Sequence, residues 1–342
     1  MEVTTGPMDV VIIGQGTVMP EREIQIVPQV SGRIIDMSPD LVNGGFFKKG
    51  DLLLVIDPAD YEIAVTLAES RVSEAKSLFQ IADEESAAAV IEWERHSPGK
   101  APPPLVAKIP QTNAARAKLT AERANLKAAR LNLERTRLSA PFNGRVVSET
   151  IDIGQYVTPG QSLATLQSTD TAEIVIPLED ADLSWIDVPG FTTPSAMGAA
   201  AEVTAVVAGK KKQWPARVVR SEGRIDQTTR MHNIVVLVET PYSTFPPLAA
   251  GQFAVVRIFG KTIDHAATIP RAALHNDNTV WVVDPEKSRL FFKTVDVARS
   301  DHTGVVVQNS LADGEQVVTS PLKTVTHGMK VRLAENQEGN AS

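Results

Sequence analysis

The chain has 342 residues, 43% of them hydrophobic and only 5% aromatic, so packed cores are attainable with Ala and Val carrying much of the apolar load. Its net charge of −7 argues against a partner held through a phosphate backbone. It has no cysteine, which excludes disulfides, thiolate metal sites and cysteine nucleophiles. A chain of this length is expected to form two or more compact units, or an extended series of small ones.

No apolar run approaches the ~18 residues of a membrane span, so the chain as given is expected to be soluble. Met1 leads almost at once into strand-like sequence, without a signal peptide. Residues 10–30 are rich in β-branched side chains and read as strands. Within them Gly14-Gln15-Gly16 lacks the third glycine of a phosphate loop and reads as a β turn.

A degenerate repeat follows. Residues 30–57 read VSGRIIDMSPDLVNGGFFKKGDLLLVID and residues 142–168 read FNGRVVSETIDIGQYVTPGQSLATLQS. Gly32 matches Gly144, Gly44 matches Gly154 and Gly50 matches Gly160. The glycines are expected to supply the positive φ of tight strand reversals, with Gly32, Gly50, Gly144 and Gly160 as structural turns. Copies this short cannot each bury a core, so they are expected to fold against each other, with the segment between them as an excursion.

That segment has a helical period. Asp57-Pro58 supplies a capping carboxylate and a first-turn proline. Tyr61, Val65, Ala68, Val72, Ala75, Phe79, Ala82, Ser86, Ala89 and Trp93 then recur at spacings of three and four. Pro98, Gly99 and Pro102-Pro103-Pro104 break the pattern. A second helix is expected from about Pro110 until Ser139-Ala140-Pro141 ends it. It carries an alanine-rich seam (Ala114, Ala117, Ala121, Ala124, Ala128, Leu131, Arg135, Leu138) and, nearly opposite, a stripe of Leu119, Leu126 and Leu133. One antiparallel neighbour covers one stripe, so the leucines are the candidate assembly stripe. The hairpin is expected to reach roughly 45 Å, from ~30 residues at ~1.5 Å each.

From residue 169 onward, short β runs with turn signals suit a small antiparallel barrel. A final β-rich block spans residues 267–333, with a polar tail behind it. Lys210-Lys211-Lys212 beside Trp214 reads as a solvated turn. His96, His232, His265, His275, His302 and His327 show no ligand spacing, and no frame places a Ser, His and Asp together. No enzyme activity, cofactor or metal is expected.

This order of parts resembles the periplasmic adaptor subunits, or membrane fusion proteins of the haemolysin-secretion-D-like kind, of bacterial tripartite efflux systems, those of RND pumps in particular. The re-entry Leu131-Asn132-Leu133-Glu134-Arg135-Thr136-Arg137-Leu138-Ser139-Ala140-Pro141-Phe142-Asn143-Gly144-Arg145-Val146 carries the resemblance. So do Glu222-Gly223-Arg224-Ile225-Asp226, Thr229-Arg230, Ala250-Gly251-Gln252-Phe253 and Ile269-Pro270-Arg271-Ala272-Ala273-Leu274. The resemblance implies a mainly β, elongated multi-domain chain with a long α-helical coiled-coil hairpin. Its parts would be a split lipoyl/biotinyl-like domain (residues 28–58 with 139–168), the hairpin (59–138), a β-barrel domain (169–260), a membrane-proximal β domain (1–27 with 261–335) and a flexible tail (336–342).

The implied partners are an inner-membrane transporter, an outer-membrane channel and further copies of the chain in a hexameric ring, with no nucleic acid. The implied location is the periplasm, with an inner-membrane anchor in an N-terminal segment absent from this chain. In the family an arginine, a leucine and a small hydroxyl residue at the hairpin tip meet the channel. Arg95, Leu105 and Ile109 are the candidates here, although the proline-rich insert stretches their spacing and Pro110 stands where the hydroxyl residue is expected. An adaptor for an ABC-type exporter is the alternative. A lipoyl or biotinyl carrier is a remote one, because the helices occupy the turn where the modified lysine would sit.

Overall fold

The computed structural model describes residues 1–300, 304–320, 322 and 324–332. His302, Leu333 and the expected tail lie outside the described residues. The chain forms two compact units. One comprises Met1–Val18, Glu173–Val238 and Gly251–Ser342, and the other Met19–Ala172 and Glu239–Ala250.

In chain order the strands begin with β1 (Gly6–Pro20), β2 (Glu23–Ile26), β3 (Gly32–Met37), β4 (Phe46–Phe47) and β5 (Leu52–Ile56). Helices α1 (Ala59–His96) and α2 (Ile109–Glu134) follow. After them come β6 (Arg137–Ser139), β7 (Gly144–Glu149), β8 (Tyr156–Val157), β9 (Ala164–Ser168) and β10 (Thr171–Leu178). A short helix α3 (Asp180–Leu183) precedes β11 (Ala200–Val207), β12 (Lys210–Ile225), β13 (His232–Glu239) and β14 (Phe253–Ile269). Six short strands close the list: β15 (Leu274–His275), β16 (Thr279–Asp284), β17 (Arg289–Thr294), β18 (Asp296–Ser300), β19 (Val305–Gln308) and β20 (Gln316–Val317).

In the unit that holds the repeat, two four-stranded sheets run β2-β9-β7-β4 and β6-β5-β3-β8. Each takes two strands from before the helices and two from after them. The exchange is reciprocal: Gly32 pairs with Val157 and Arg33 with Tyr156, while Phe47 pairs with Gly144 and Phe46 with Arg145. Equivalent backbone bonds repeat across the two copies. Gly44 N–H donates to Val146 O and Gly154 N–H to Ile34 O, both at 2.8 Å. Val146 N–H donates to Gly45 O and Ile34 N–H to Gln155 O, both at 2.9 Å. The copies are therefore related by a pseudo-two-fold axis. Val30, Ile34, Phe47, Leu54 and Ile56 share one core with Phe142, Val146, Val157, Leu163 and Leu166. Neither copy has a core without the other.

The four structural glycines act in two ways. Gly50 and Gly160 sit in turns at φ 89° and 86° with open space around them. Gly32 and Gly144 instead lie in strands, where a side chain would collide with Ile56 or with the Phe47 ring and the Gln167 carbonyl. Close approach of chains, more than turn geometry, requires glycine there.

In the other unit β1-β10-β13-β12-β11-β14 closes on itself through β1–β14 pairing, which makes a six-stranded antiparallel barrel. Val10, Ile12, Ile174, Ile176, Val203, Trp214, Val236 and Val256 fill it. Residues 1–27 do not stay together in one β domain: Val3 packs with Ala267, Val280 and Val317. From Gly6 onward β1 is a barrel stave, because its free edge finds β14 and β10. Gly14 and Gly16 are mid-strand, not a turn: they make room for Ile176 and Ile174 of β10, and a Cβ on Gly16 would lie 2.7 Å from Ile174 Cγ2. The lysine run is not the turn itself: Ala208 and Gly209, at φ 50° and 74°, make the tight β11–β12 turn, and Lys210, Lys211 and Lys212 are the first residues of β12, paired with Val207, Val206 and Ala205. Trp214 is buried inside the barrel. Beyond the barrel, β14 continues into β19 and β18, while β15, β16, β17 and β20 form a small sheet.

Candidate partner-binding surface on the helix pair

The insertion leaves and returns at adjacent strands. Ile56 N–H donates to Thr136 O at 2.8 Å, and Tyr61 Oη donates to Ser31 O at 2.7 Å, which ties the first turn of α1 to the β domain. The α1 cap is displaced by one residue from the sequence expectation. Pro58 is the cap residue, and the Asp57 carboxylate accepts from Ala59 N–H at 3.1 Å. At the far end α2 stops at Glu134, and Arg137–Ser139 is β6. Leu138 pairs with Leu54 and joins the β core, so the sheet ladder overrides the helical period there.

The two helices pack antiparallel. Thr112 Oγ1 donates to Ala82 O at 3.1 Å, Lys108 Nζ lies 2.8 Å from Glu85 Oε2, and Arg116 stands over the Phe79 ring. Arg130 and Glu69 pair at 2.7 Å nearer the β domain. Within α1 the positions withdrawn from solvent are Tyr61, Val65, Ala68, Val72, Ala75, Phe79, Ala82, Ser86, Ala89 and Trp93, the ten that the spacing selects.

On α2 the two stripes have the opposite roles to those expected. Leu119 is 6% exposed, Leu126 and Leu133 are half-buried, and the alanines at 114, 117, 121, 124 and 128 are exposed. The register set by Ala82 and Thr112 brings Leu119 level with Ala75 and Leu126 with Ala68. Leucines fill the gaps beside small α1 residues and bury more apolar area than alanines could, so the leucine stripe is the intramolecular seam. It is not the free face.

Within this seam Glu122 is buried, held by Lys118 Nζ at 2.8 Å and Asn125 Nδ2 at 3.1 Å. Those side-chain hydrogen bonds keep its carboxyl below the usual range.

Residues 97–108 form the tip. Trp93 Nε1 donates to Lys100 O at 2.9 Å, and Ser86 Oγ donates to Ala107 O at 2.6 Å, with Ala107 buried. Lys108, at φ 53°, turns the chain into α2. This braced loop leaves Leu105 74% exposed, with Val106 and Ile109 partly exposed beside it. Arg95 is in the last turn of α1, and Leu105 and Ile109 are on the return. The tip thus offers a cation and apolar side chains on a fixed backbone, suited to docking a protein surface. Lys48 and Lys49 occupy an exposed turn of the first copy, while the turn between the half-motifs is taken by the helices. Among the described residues no group of three or more His, Cys, Asp or Glu side chains is placed to hold a metal ion.

Residues 22–169 match the barrel-sandwich hybrid domain of RND membrane fusion proteins. Over 330 residues the chain is 26% identical to multidrug resistance protein MdtA of Proteus mirabilis, covering 93% of this chain and 76% of that protein. It is 27% identical over 349 residues to MdtA of Salmonella typhimurium, covering 98% and 79%. Two crystal structures share the fold. MacA from Actinobacillus actinomycetemcomitans has a TM-score of 0.62 at 18% identity, covering 94% of this chain and 99% of that one. A MacA-MexA chimera carrying the Pseudomonas aeruginosa MexA α-hairpin domain has 0.64 at 21%, covering 94% and 100%. The split β domain with its two-helix insertion, residues 22–169, is thus a barrel-sandwich hybrid domain of the kind found in RND membrane fusion proteins, in a chain similar over most of its length to MdtA.

Proposed function

We propose that this chain is a non-enzymatic periplasmic adaptor that joins an inner-membrane RND transporter to an outer-membrane channel. Several copies, six in the full assembly, ring part of the export conduit. The observation that carries this reading is the split domain. Two β half-motifs fold into one body, and the turn between them is replaced by a braced helix pair that ends in exposed Leu105, Val106 and Ile109. Such a design positions a docking tip. In this reading Arg95, Leu105 and Ile109 contact the channel. The exposed alanine row of α2 lets a neighbouring helix approach closely, since small side chains permit short interhelical distances. A segment preceding Met1 anchors the adaptor to the inner membrane.

The test uses cells lacking the adaptor. The full chain should restore export and co-purify with the RND transporter encoded beside it. Leu105→Glu should abolish channel co-purification while leaving the melting temperature and transporter binding unchanged. Co-purification with an ABC-type exporter instead would overturn the RND assignment.

A further inference from the structure

The helix pair has two broad faces of opposite character. One holds the Arg130–Glu69 pair at 2.7 Å and Arg116 over the Phe79 ring. At heptad spacing from these, Glu62, Lys76, Asp83 and Arg123 lie on the same face, which is therefore charged throughout. On the other face Arg71, Glu74 and Leu78 of α1 border a groove with Lys118 of α2. Steps of three and four extend the α1 row to Leu67 and Ile81 and the α2 row to Ala114, Ala121 and Ala128. Leu67, Leu78 and Ile81 are 52%, 51% and 55% exposed, and the three alanines are exposed beside them.

This second face is complementary to itself. The register that brings Leu119 level with Ala75 also sets Leu67 level with Ala128, Glu74 with Ala121 and Ile81 with Ala114. A second hairpin laid on it about a two-fold axis parallel to the helices puts α1 of each copy over α2 of the other, at the same level. Leu67 then meets Ala128 of the second copy and Ile81 meets its Ala114, so large side chains enter the space that small ones leave. Glu74 comes beside Lys118 of the second copy.

Charge selects this arrangement over the alternatives. α1 has nine acidic and three basic side chains, whereas α2 has five basic and two acidic. Hairpins paired in opposite directions would lay α1 on α1 and α2 on α2, with like charge over like and large side chains over large. Packing the apolar face on the charged face of another copy would desolvate Lys76 and Arg123 against leucines without pairing them. Only the parallel two-fold pair matches both size and charge.

We propose that the Leu67–Leu78–Ile81 face of the helix pair is covered by the same face of a second copy of this chain, the two hairpins pointing the same way in a four-helix bundle. The contact is isologous, so it closes at two copies. It is made by the chain alone, and it goes beyond the transporter and channel reading above.

The chain has no cysteine, so Ile81→Cys and Ala114→Cys each introduce a single thiol at an exposed position. Mixed and oxidised, the two full-length variants should give several-fold more disulfide-linked pair than either alone, because each site faces the other across the axis. Leu78→Glu and Glu74→Lys should each weaken self-association about tenfold in analytical ultracentrifugation, without lowering the melting temperature. Equal cross-linking in single and mixed samples overturns the proposal, and so does wild-type self-association in either of the charge variants. A wild-type chain that stays monomeric up to its solubility limit overturns it too, while export and transporter co-purification still decide the adaptor reading. Loss of channel co-purification in Leu78→Glu with self-association intact gives the face to the channel, and the proposal falls.

Discussion

Gly144 and Gly50 are the same residue type in one repeat, and they resist substitution for different reasons. An alanine Cβ at Gly144 would lie 2.6 Å from Phe47 Cζ, wedged against backbone on its other side. Gly144→Ala should therefore lower stability by about 2 kcal/mol through overpacking. At Gly50 there is open space, and the cost comes from φ 89° alone. Gly50→Ala should cost about 1 kcal/mol, the usual strain of a side chain in the left-handed region. Urea titrations of the two variants measure the difference, and equal losses would count against the packing role of Gly144. The spacing of these glycines is plain in the sequence. Which of them meets a neighbour is not, because Phe47 and Gln167 reach Gly144 only after the sheets have formed.

At the scale of elements, the helix pair separates what a period can reveal from what it cannot. All ten α1 seam positions follow from three-and-four spacing, since a helix with one partner buries one stripe. α2 has two stripes at opposite angles, and period alone does not choose between them. The choice depends on the facing side chains: Ala68 and Ala75 leave room that leucines fill. Leu119→Ala should accordingly cost roughly 2–3 kcal/mol. Ala121→Glu, on the exposed row, should stay within about 0.5 kcal/mol of wild type while weakening assembly. Chemical denaturation with sedimentation of both variants distinguishes seam from surface. Glu122 adds a pH dependence. Its carboxyl is held below its ordinary 4.5 in the folded state, so its contribution is complete above that value. The contribution is lost as pH falls from about 4.5 through the lower folded value. Melting temperature should drop over that window in wild type, and less steeply in Glu122→Gln; parallel pH profiles would remove Glu122 as the cause.

For the whole molecule, the prediction concerns the split itself. Ile56 and Thr136 are hydrogen-bonded neighbours, so residues 59–134 can be replaced by a short glycine turn. The shortened chain should keep the β domain folded, judged by a cooperative far-ultraviolet melt, and lose channel co-purification. Either repeat copy produced alone should stay unfolded, because each has only half of the shared core. The paired copies, the helical excursion and the β-rich remainder were legible in the sequence, since they rest on local periodicity, turn residues and self-similarity. Three things were decided only by tertiary structure: the barrel place of β1, the early end of α2 at Glu134, and the inward turn of the leucine stripe. Each depends on a partner distant in sequence. Strand edges pair with whichever edge the fold brings alongside, and an apolar stripe faces whichever surface buries the most area.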